Sequence, residues 1–327
     1  MLLECLIGAV TEKAAKYMEE EAKHKAEMKA KEAPPDKHVA LRKDRWTAVK
    51  LVNRKTISED TSVYTFKLPA DKNVLGLGTG QHILLGFHLQ DKMLTRSYTP
   101  TRPTLPAPDK ARRDSGYADN ETFHDGEGSF DITVKTYFPT DEQPGGAMSN
   151  ILDTVPIGEE VDVKGPLGDI IYLGNGRFNI EGKERHFDRV SLVLGGTGIT
   201  PGYSIIARVA MTAGDDTQLR VVDANKAQID ILMHEQLEEF QKRSEGRIKV
   251  TNVLSNPDEG WGGLKGFVTE KIMRDHLFAP GDGSVVLMCG PPVMIQKAVL
   301  PGLQSMSFHL SPSSFPKPCL FETENVH

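Results

Sequence analysis

Cysteine is scarce in this sequence: Cys5, Cys289 and Cys319 are the only three in 327 residues. An odd and widely spaced set does not make a disulfide framework, and it predicts a reducing compartment, the cytoplasm. No two of them have metal-site spacing and no His-Glu-x-x-His motif occurs, so no protein-held metal is expected. Long apolar runs are missing too. Nothing approaches the roughly 20 residues that span a bilayer, so no membrane span is expected. The apolar start, residues 1–10, is short, is interrupted by Glu4 and lacks a basic flank, which argues against a signal peptide. Positive charge is not in excess either. A formal net charge of −6 excludes a dedicated nucleic-acid binder, whose footprint is basic. What remains is ordinary globular composition, 39% hydrophobic and 26% charged, with enough chain for two domains.

The chain changes character along its length. Residues 11–32 are rich in Ala, Lys, Glu and Met without Gly or Pro, which predicts a charged helix, ended by Pro34 and Pro35. Its apolar stripe is thin, so residues 1–43 read as a solvated tether. From 44 to 182 the pattern is β-like. Residues 46–52, 62–68 and 130–137 are β-branched and aromatic with partial alternation, separated by Gly, Pro and Asp clusters. Short strands without intervening helices predict an antiparallel barrel, with residues 103–128 as a long surface insertion. From 183 to 304 strands alternate with helices: strands at 190–194, 219–222, 248–254 and 284–288, and a helix over 229–242. This predicts a parallel α/β sheet with right-handed crossovers. Residues 305–327 are Ser/Pro-rich and read as an irregular tail.

Four short constellations sit at predicted strand ends. In Arg96-Ser97-Tyr98-Thr99-Pro100, alternation puts Arg96 and Tyr98 on one face, where Arg can clamp a phosphate and Tyr can pack on a flat ring. The same residues also suit a strand that simply ends in a turn. Gly145-Gly146-Ala147-Met148-Ser149-Asn150 opens a helix and exposes backbone N–H groups suited to an anion, or is a capped helix with no ligand. Leu194-Gly195-Gly196-Thr197-Gly198-Ile199-Thr200-Pro201 runs from a buried strand through glycines into a helix, either for close approach of a pyrophosphate or as a tight packing turn. Met288-Cys289-Gly290-Pro291-Pro292-Val293-Met294 lies at a strand's C-terminal end, where open α/β sheets bind ligands, although Cys289 alone suits a small buried hydrophobe.

In this order and on this layout the four resemble the cytochrome b5 reductase branch of the ferredoxin-reductase superfamily. That branch includes the flavin part of eukaryotic assimilatory nitrate reductases, the fungal ones in particular. The resemblance covers residues 45–303. It implies an FAD-dependent oxidoreductase that takes hydride from NADPH or NADH. Single electrons would then pass to a b5-type haem, with no protein acid or base required. By position, Arg96, Tyr98 and Thr99 are similar to the first flavin-binding segment, with Arg96 on the pyrophosphate. Val134, Lys135 and Tyr137 match the strand bordering the FAD, and Gly146, Met148 and Ser149 its phosphate cradle. Gly196, Thr197, Gly198 and Thr200 match the nicotinamide-nucleotide turn. Cys289 matches the cysteine beside the nicotinamide, with Gly290, Pro291 and Met294 around it.

Two departures qualify the resemblance. The tail replaces the usual ending near an aromatic residue, so a final strand is expected to be missing. Ser255 stands where NADH-preferring members carry an acid, and Lys265 is expected close by, which favours NADPH. The chain shows no His-Pro-Gly-Gly haem motif and no room for a molybdenum domain. It therefore reads as the reductase end of a nitrate reductase, with Leu6-Ile7-Gly8 resembling the exit from a b5 domain. A stand-alone NADH-cytochrome b5 reductase, or an inactive fragment kept as a binding module, are the competing readings.

Overall fold

The computed structural model describes residues 39–89, 92–103, 128–141, 145–308 and 319–320. The expected helix over 11–32 and most of the 103–128 insertion lie outside the described residues. The described residues from Ala40 onward belong to one compact unit.

The first sheet has six strands: β1 (Thr47–Thr56), β2 (Thr61–Lys67), β3 (His82–Leu89), β4 (Lys92–Tyr98), β5 (Ser129–Lys135) and, after helix α1 (Ala147–Thr154), β6 (Glu160–Leu167). Their order is β4-β3-β6-β1-β2-β5, antiparallel throughout. Alternation sends Tyr64 and Phe66 of β2 inward, opposite Ile132 and Phe130 of β5. The Phe66 and Phe130 rings stack with centroids 5.3 Å apart. Each such side chain contributes about 1.5–3 kcal/mol by leaving water. The edge strands β4 and β5 are joined beyond the end of β4 by a bridge between Arg102 and Asp131. The Arg102 fork donates to both Asp131 carboxylate oxygens, Nε at 2.8 Å and Nη2 at 3.0 Å. This bridge turns the sheet into the expected barrel.

A second sheet is parallel. It is built from β10 (Arg189–Gly195), β11 (Gln218–Asn225), β12 (Ile248–Leu254) and β14 (Ser284–Cys289), with two-residue edges β13 (Leu264–Lys265) and β15 (Cys319–Leu320). Helices α2 (Ile199–Met211), α3 (His234–Arg243) and α4 (Glu270–His276) connect its strands. A broken helix follows, made of α5 (Pro292–Met294), a π-helical turn Ile295–Val299 and α6 (Leu300–Ser305). Buried on both faces, β10 and β14 are nearly continuous apolar runs, the mark of a parallel strand.

The structure departs from the sequence reading in four places. A small antiparallel sheet, β7 (Ile170–Gly174), β8 (Arg177–Ile180) and β9 (Lys183–His186), follows the barrel strands. Its Ile170, Tyr172, Phe178 and Ile180 pack into the same core as the parallel sheet, and the boundary placed after residue 182 falls between β8 and β9. The helix expected over 229–242 begins only at His234, because residues 228–230 form a separate short turn and Met233 has φ 50°. Strand β5 stops at Lys135 rather than at residue 137. The tail expected to be irregular contributes β15, paired in parallel with β14.

One polar residue sits where the pattern asks for an apolar one. Asp223 in β11 is fully buried, with Leu194 and Asn252 as its register neighbours on the flanking strands. Asn225 Nδ2 donates to its Oδ2 at 2.8 Å. Oδ1 of Asp223, Asn225 and Asn252 are all buried without a described donor. Burial pushes the Asp223 carboxyl up to about 7. The native state thus keeps a proton that the unfolded chain releases above about pH 4, so stability falls as pH rises from about 4 to about 7 and stays low above it. Asp223→Asn keeps the acceptor for Asn225, adds donors and removes the titration. It should stabilise the fold by roughly 2–4 kcal/mol at pH 8 and by much less at pH 5. Denaturant midpoints at the two pH values measure this, and an equal gain at both would show that Asp223 is not the titrating group.

Candidate functional site

The barrel is open between β4 and β5 ahead of the Arg102–Asp131 bridge. Arg96 is half-buried on the edge strand. Its Nη1 donates to the neighbouring Thr95 carbonyl at 2.7 Å, and no carboxylate among the described residues pairs with it. A half-buried guanidinium without a counter-charge is suited to a phosphate. Tyr98 packs on the barrel core, and burial raises its phenol above the ordinary tyrosine value. Thr99 is buried beside it. Tyr137 and Phe138 stand about half exposed just past β5, an unusual position for aromatic side chains that no described residue fully covers.

Helix α1 comes within 8 Å of β4, beside the same opening. Gly145 has φ +78°, and a Cβ there would meet the Tyr137 carbonyl at 2.6 Å, so only glycine makes this turn. Ser149 Oγ accepts from Tyr137 N at 3.2 Å and donates to the Gly146 carbonyl at 3.1 Å. Its hydroxyl therefore ties the helix start to the end of β5, as does Gly146 N, which donates to the Tyr137 carbonyl at 2.8 Å, and the backbone N–H groups of Ala147 and Met148 are left for an anion. The side chains of Val134 and Met148 are in the barrel core, so these two border the opening through their backbone. Lys135 is held by two carboxylates, Asp60 at 2.9 Å and Asp230.

The second half of the site is at the C-terminal end of the parallel sheet. Between β10 and β14 the chain order reverses, since β10 continues to β11 on one side while β14 arrives last on the other. Open α/β sheets form a ligand crevice at such a point. The turn Gly196–Gly198 leads into α2, which has no side-chain N-cap, while Thr200 Oγ1 donates back to the Thr197 carbonyl at 3.0 Å. Across the crevice Gly290, Pro291 and Met294 form the other wall. A Cβ on Gly290 would lie 2.6 Å from Met294 Cε and 3.1 Å from Gly195 N. Cys289 is 2% exposed and burial pushes its thiol up to about 12, so it stays a neutral thiol. Strand β5 comes within 8 Å of the Gly196–Gly198 turn, so the barrel opening and this crevice face one another.

Ser255 directly follows β12, and its N–H donates to the Asn225 carbonyl at 3.0 Å. Lys265 of β13 pairs with the preceding residue, Leu254, and Asn256 N donates to the Lys226 carbonyl at 2.7 Å. Two exposed lysines thus flank Ser255. The sequence reading had found Lys265 but missed Lys226. It also missed Phe267, 79% exposed on the same edge, and Asp230. Exposed aromatics can be suspected from sequence only once the strand beside them is located.

The donors and cradles fit a dinucleotide and a flavin dinucleotide: an unpaired guanidinium, two glycine turns at helix starts, and aromatic faces left uncovered. Gly198 offers the sharpest check. Its φ of −62° suits any residue, yet a Cβ there would lie 2.4 Å from the Cys289 carbonyl oxygen. Gly198→Ala must push the turn away from β14 at about 1–3 kcal/mol. It should raise KM for the pyridine nucleotide at least tenfold while bound flavin, read by its absorbance, is retained. An unchanged KM would remove this turn from the nucleotide site.

The family model described as Oxidoreductase FAD-binding domain matches residues 48–107 and 117–172, and Oxidoreductase NAD-binding domain matches residues 192–299. Nitrate reductase [NADH] of Lotus japonicus is 41% identical over 277 residues, 84% of this chain and 29% of that enzyme. Nitrate reductase [NADH] 1 of Zea mays is 38% identical over 271 residues, 81% of this chain and 40% of that protein. The chain therefore spans well under half the length of these relatives. The crystal structure of the cytochrome b5 reductase domain of Ulva prolifera nitrate reductase superposes with a TM-score of 0.74 at 29% identity, covering 86% of this chain and 99% of that one. The chain belongs to the FAD- and NAD(P)H-dependent flavoprotein reductases of the ferredoxin-reductase type, in the cytochrome b5 reductase branch to which the flavin part of nitrate reductase belongs.

Proposed function

We propose that this chain is the reductase part of a nitrate reductase, passing electrons from NADPH through FAD to a b5-type haem in the cytoplasm. The observation that carries the reading is the meeting of two half-sites: the barrel opening beside β5 lies within 8 Å of the glycine turn after β10. When bound, FAD supplies the hydride acceptor and the outlet for single electrons. The chain's own residues bind and orient. Arg96 and the N–H groups at the start of α1 neutralise the flavin diphosphate, while Tyr98 and Thr99 fix one edge of the ring. The Gly196–Gly198 turn and the start of α2, with Thr197 and Thr200, hold the nucleotide pyrophosphate. Cys289, Gly290, Pro291 and Met294 shape the nicotinamide pocket. The neutral thiol of Cys289 adds no charge beside the reacting carbon. Domain limits of 44–182 for the flavin part and 183–304 for the nucleotide part accompany this reading, with β7 to β9 lying across their junction.

A b5-type haem domain is the natural acceptor, because relatives at about 40% identity are nitrate reductases and the superposed structure is named a cytochrome b5 reductase domain. No described helix is long and apolar enough to cross a membrane. The purified protein should be yellow with an FAD spectrum and should reduce ferricyanide and cytochrome b5 with NADPH. It should reduce nitrate only when joined to haem and molybdenum domains. A fusion inactive on nitrate, beside efficient reduction of free cytochrome b5, would make it a stand-alone reductase instead. A colourless, inactive protein would leave only a binding module.

The preference for NADPH rests on Ser255 between Lys226 and Lys265, and it departs from the relatives named for NADH. Ser255→Asp places a like charge beside a 2′-phosphate, so the NADH:NADPH ratio of kcat/KM should rise about tenfold, or 1.4 kcal/mol. A ratio that does not move would take Ser255 away from the ribose.

A further inference from the structure

Hydride transfer needs its two reacting atoms within about 3–3.5 Å, and a misplacement of 1 Å can cost about a hundredfold. Here the two reactants are held by separate cores, the flavin by the barrel and the nucleotide by the parallel sheet. The contacts between those cores therefore set the reacting distance. One group of them fastens α2 to the turn before β3: Gly80 N donates to Ser204 Oγ at 3.1 Å, and Arg208 Nη1 donates to Thr79 Oγ1 at 3.0 Å. The other is at a different place in sequence and structure. Lys135, the last residue of β5, reaches Asp230, 95 residues away, in the loop that follows β11.

Asp230 makes two bonds in opposite directions. One carboxylate oxygen takes the Lys135 ammonium, and the other accepts the Ala227 N–H at 2.9 Å. The loop so fixed, residues 226–230, is bonded in turn to the segment after β12. Asn256 N donates to the Lys226 carbonyl at 2.7 Å and Asp258 N to Gln228 Oε1 at 3.0 Å. Residues 226–230 and 255–258 are the ribose side of the proposed nucleotide site. Asp230 is therefore one residue from the flavin-bordering strand and one bond from the loops that carry the nucleotide. Its side chain is 13% exposed and that of Lys135 is 21% exposed, so the pair is little screened by water. Burial opposes the lysine's charge, yet the hydrogen bonds to Asp230 and Asp60 outweigh it and hold its pKa above the ordinary value.

We infer that Asp230 is a positioning residue for hydride transfer, its carboxylate clasping the flavin strand to the nucleotide loops and so setting the distance between the two rings. The inference rests on the reading that NADPH reduces FAD bound to this chain. The clasp acts through geometry, and Asp230 touches neither reacting atom. Asp60 shares the lysine and so keeps it charged and in place when the clasp is opened.

Asp230→Asn tests this, because the amide oxygen can still accept from Ala227 N while the charge is lost. In anaerobic stopped-flow mixing of the flavin-loaded protein with NADPH, the limiting rate of flavin bleaching should fall about tenfold or more. The dissociation constant from the same titration should change less than threefold, and FAD content should stay at the wild-type level. Asp230→Glu, which keeps the charge, should recover most of the rate. Independently of activity, hydrogen–deuterium exchange should quicken in both 129–137 and 226–230 in Asp230→Asn. A limiting rate within twofold of wild type, or a change confined to the dissociation constant, would overturn the clasp, as would exchange that quickens in 226–230 alone. If NADPH fails to bleach the wild-type protein, the functional reading itself falls and the proposal with it.

Discussion

The site depends on how closely one turn lies against one strand end. The backbone of Gly198 approaches the Cys289 carbonyl so nearly that a single added carbon would be 2.4 Å from it, and Gly290 approaches Gly195 almost as tightly. These contacts continue the parallel pairing of Leu194 with Cys289, the last pair of the β10–β14 ladder. The crevice beyond that pair exists because the two chains leave it in opposite directions, one into α2 and one into the broken helix from Pro292. Each wall is therefore backbone, stiffened by a ladder beneath it, and its N–H groups are pre-aimed. A ligand phosphate placed there needs little reorganisation, which is the main advantage of fixed dipoles over mobile side chains.

The barrel and the parallel sheet are joined by two kinds of contact with different physics. Around α2 the join is buried and built on a hydrogen-bonded network. Arg208, 5% exposed, donates to the Tyr172 and Leu173 carbonyls at 3.0 and 2.9 Å. Tyr172 in turn donates to Asp215, whose other oxygen accepts from Thr217. Breaking one member of such a network leaves the rest unsatisfied in low dielectric, at several kcal/mol, so this join is stiff. The Lys135 clasp is a largely buried ion pair, and for such a pair the cost of desolvation offsets most of the attraction. It adds little to stability, so its use is geometric. A stiff pivot with a weak, directional clasp at the reacting edge can hold two rings in register without locking either ligand in.

The residues proposed to line the site came from the sequence, because strand ends with Arg-x-Tyr-Thr, Gly-Gly-x-Met-Ser and Gly-Gly-Thr-Gly suit backbone or side-chain features that plain turns do not need. Barrel and parallel sheet followed from periodicity. The contacts that join the halves were not legible. Lys135 and Asp230 are 95 residues apart, and Asp230 read as the start of a helix because nothing local announces the left-handed Met233. The small sheet β7 to β9 was missed because its strands are only four or five residues long, too short for alternation to stand out. Asp223 has a simpler explanation: a buried carboxyl looks like any other acid until its strand is shown to be central.

Three ionisable groups near the site, Cys289, Tyr98 and Lys135, keep one charge state across the ordinary working range. Burial keeps the proton on Cys289 and on Tyr98, and two carboxylates keep Lys135 charged. Hydride transfer between two rings moves no proton through the protein, so a side chain that titrated beside the rings would only perturb the potential they feel. Fixing the charge state of these three neighbours leaves distance and orientation as the quantities that they control. Asp223 in β11, its carboxyl pushed up to about 7 by burial, does titrate. It lies on a different strand from both glycine walls, so its charge acts first on the stability of the sheet and only through the sheet on the crevice.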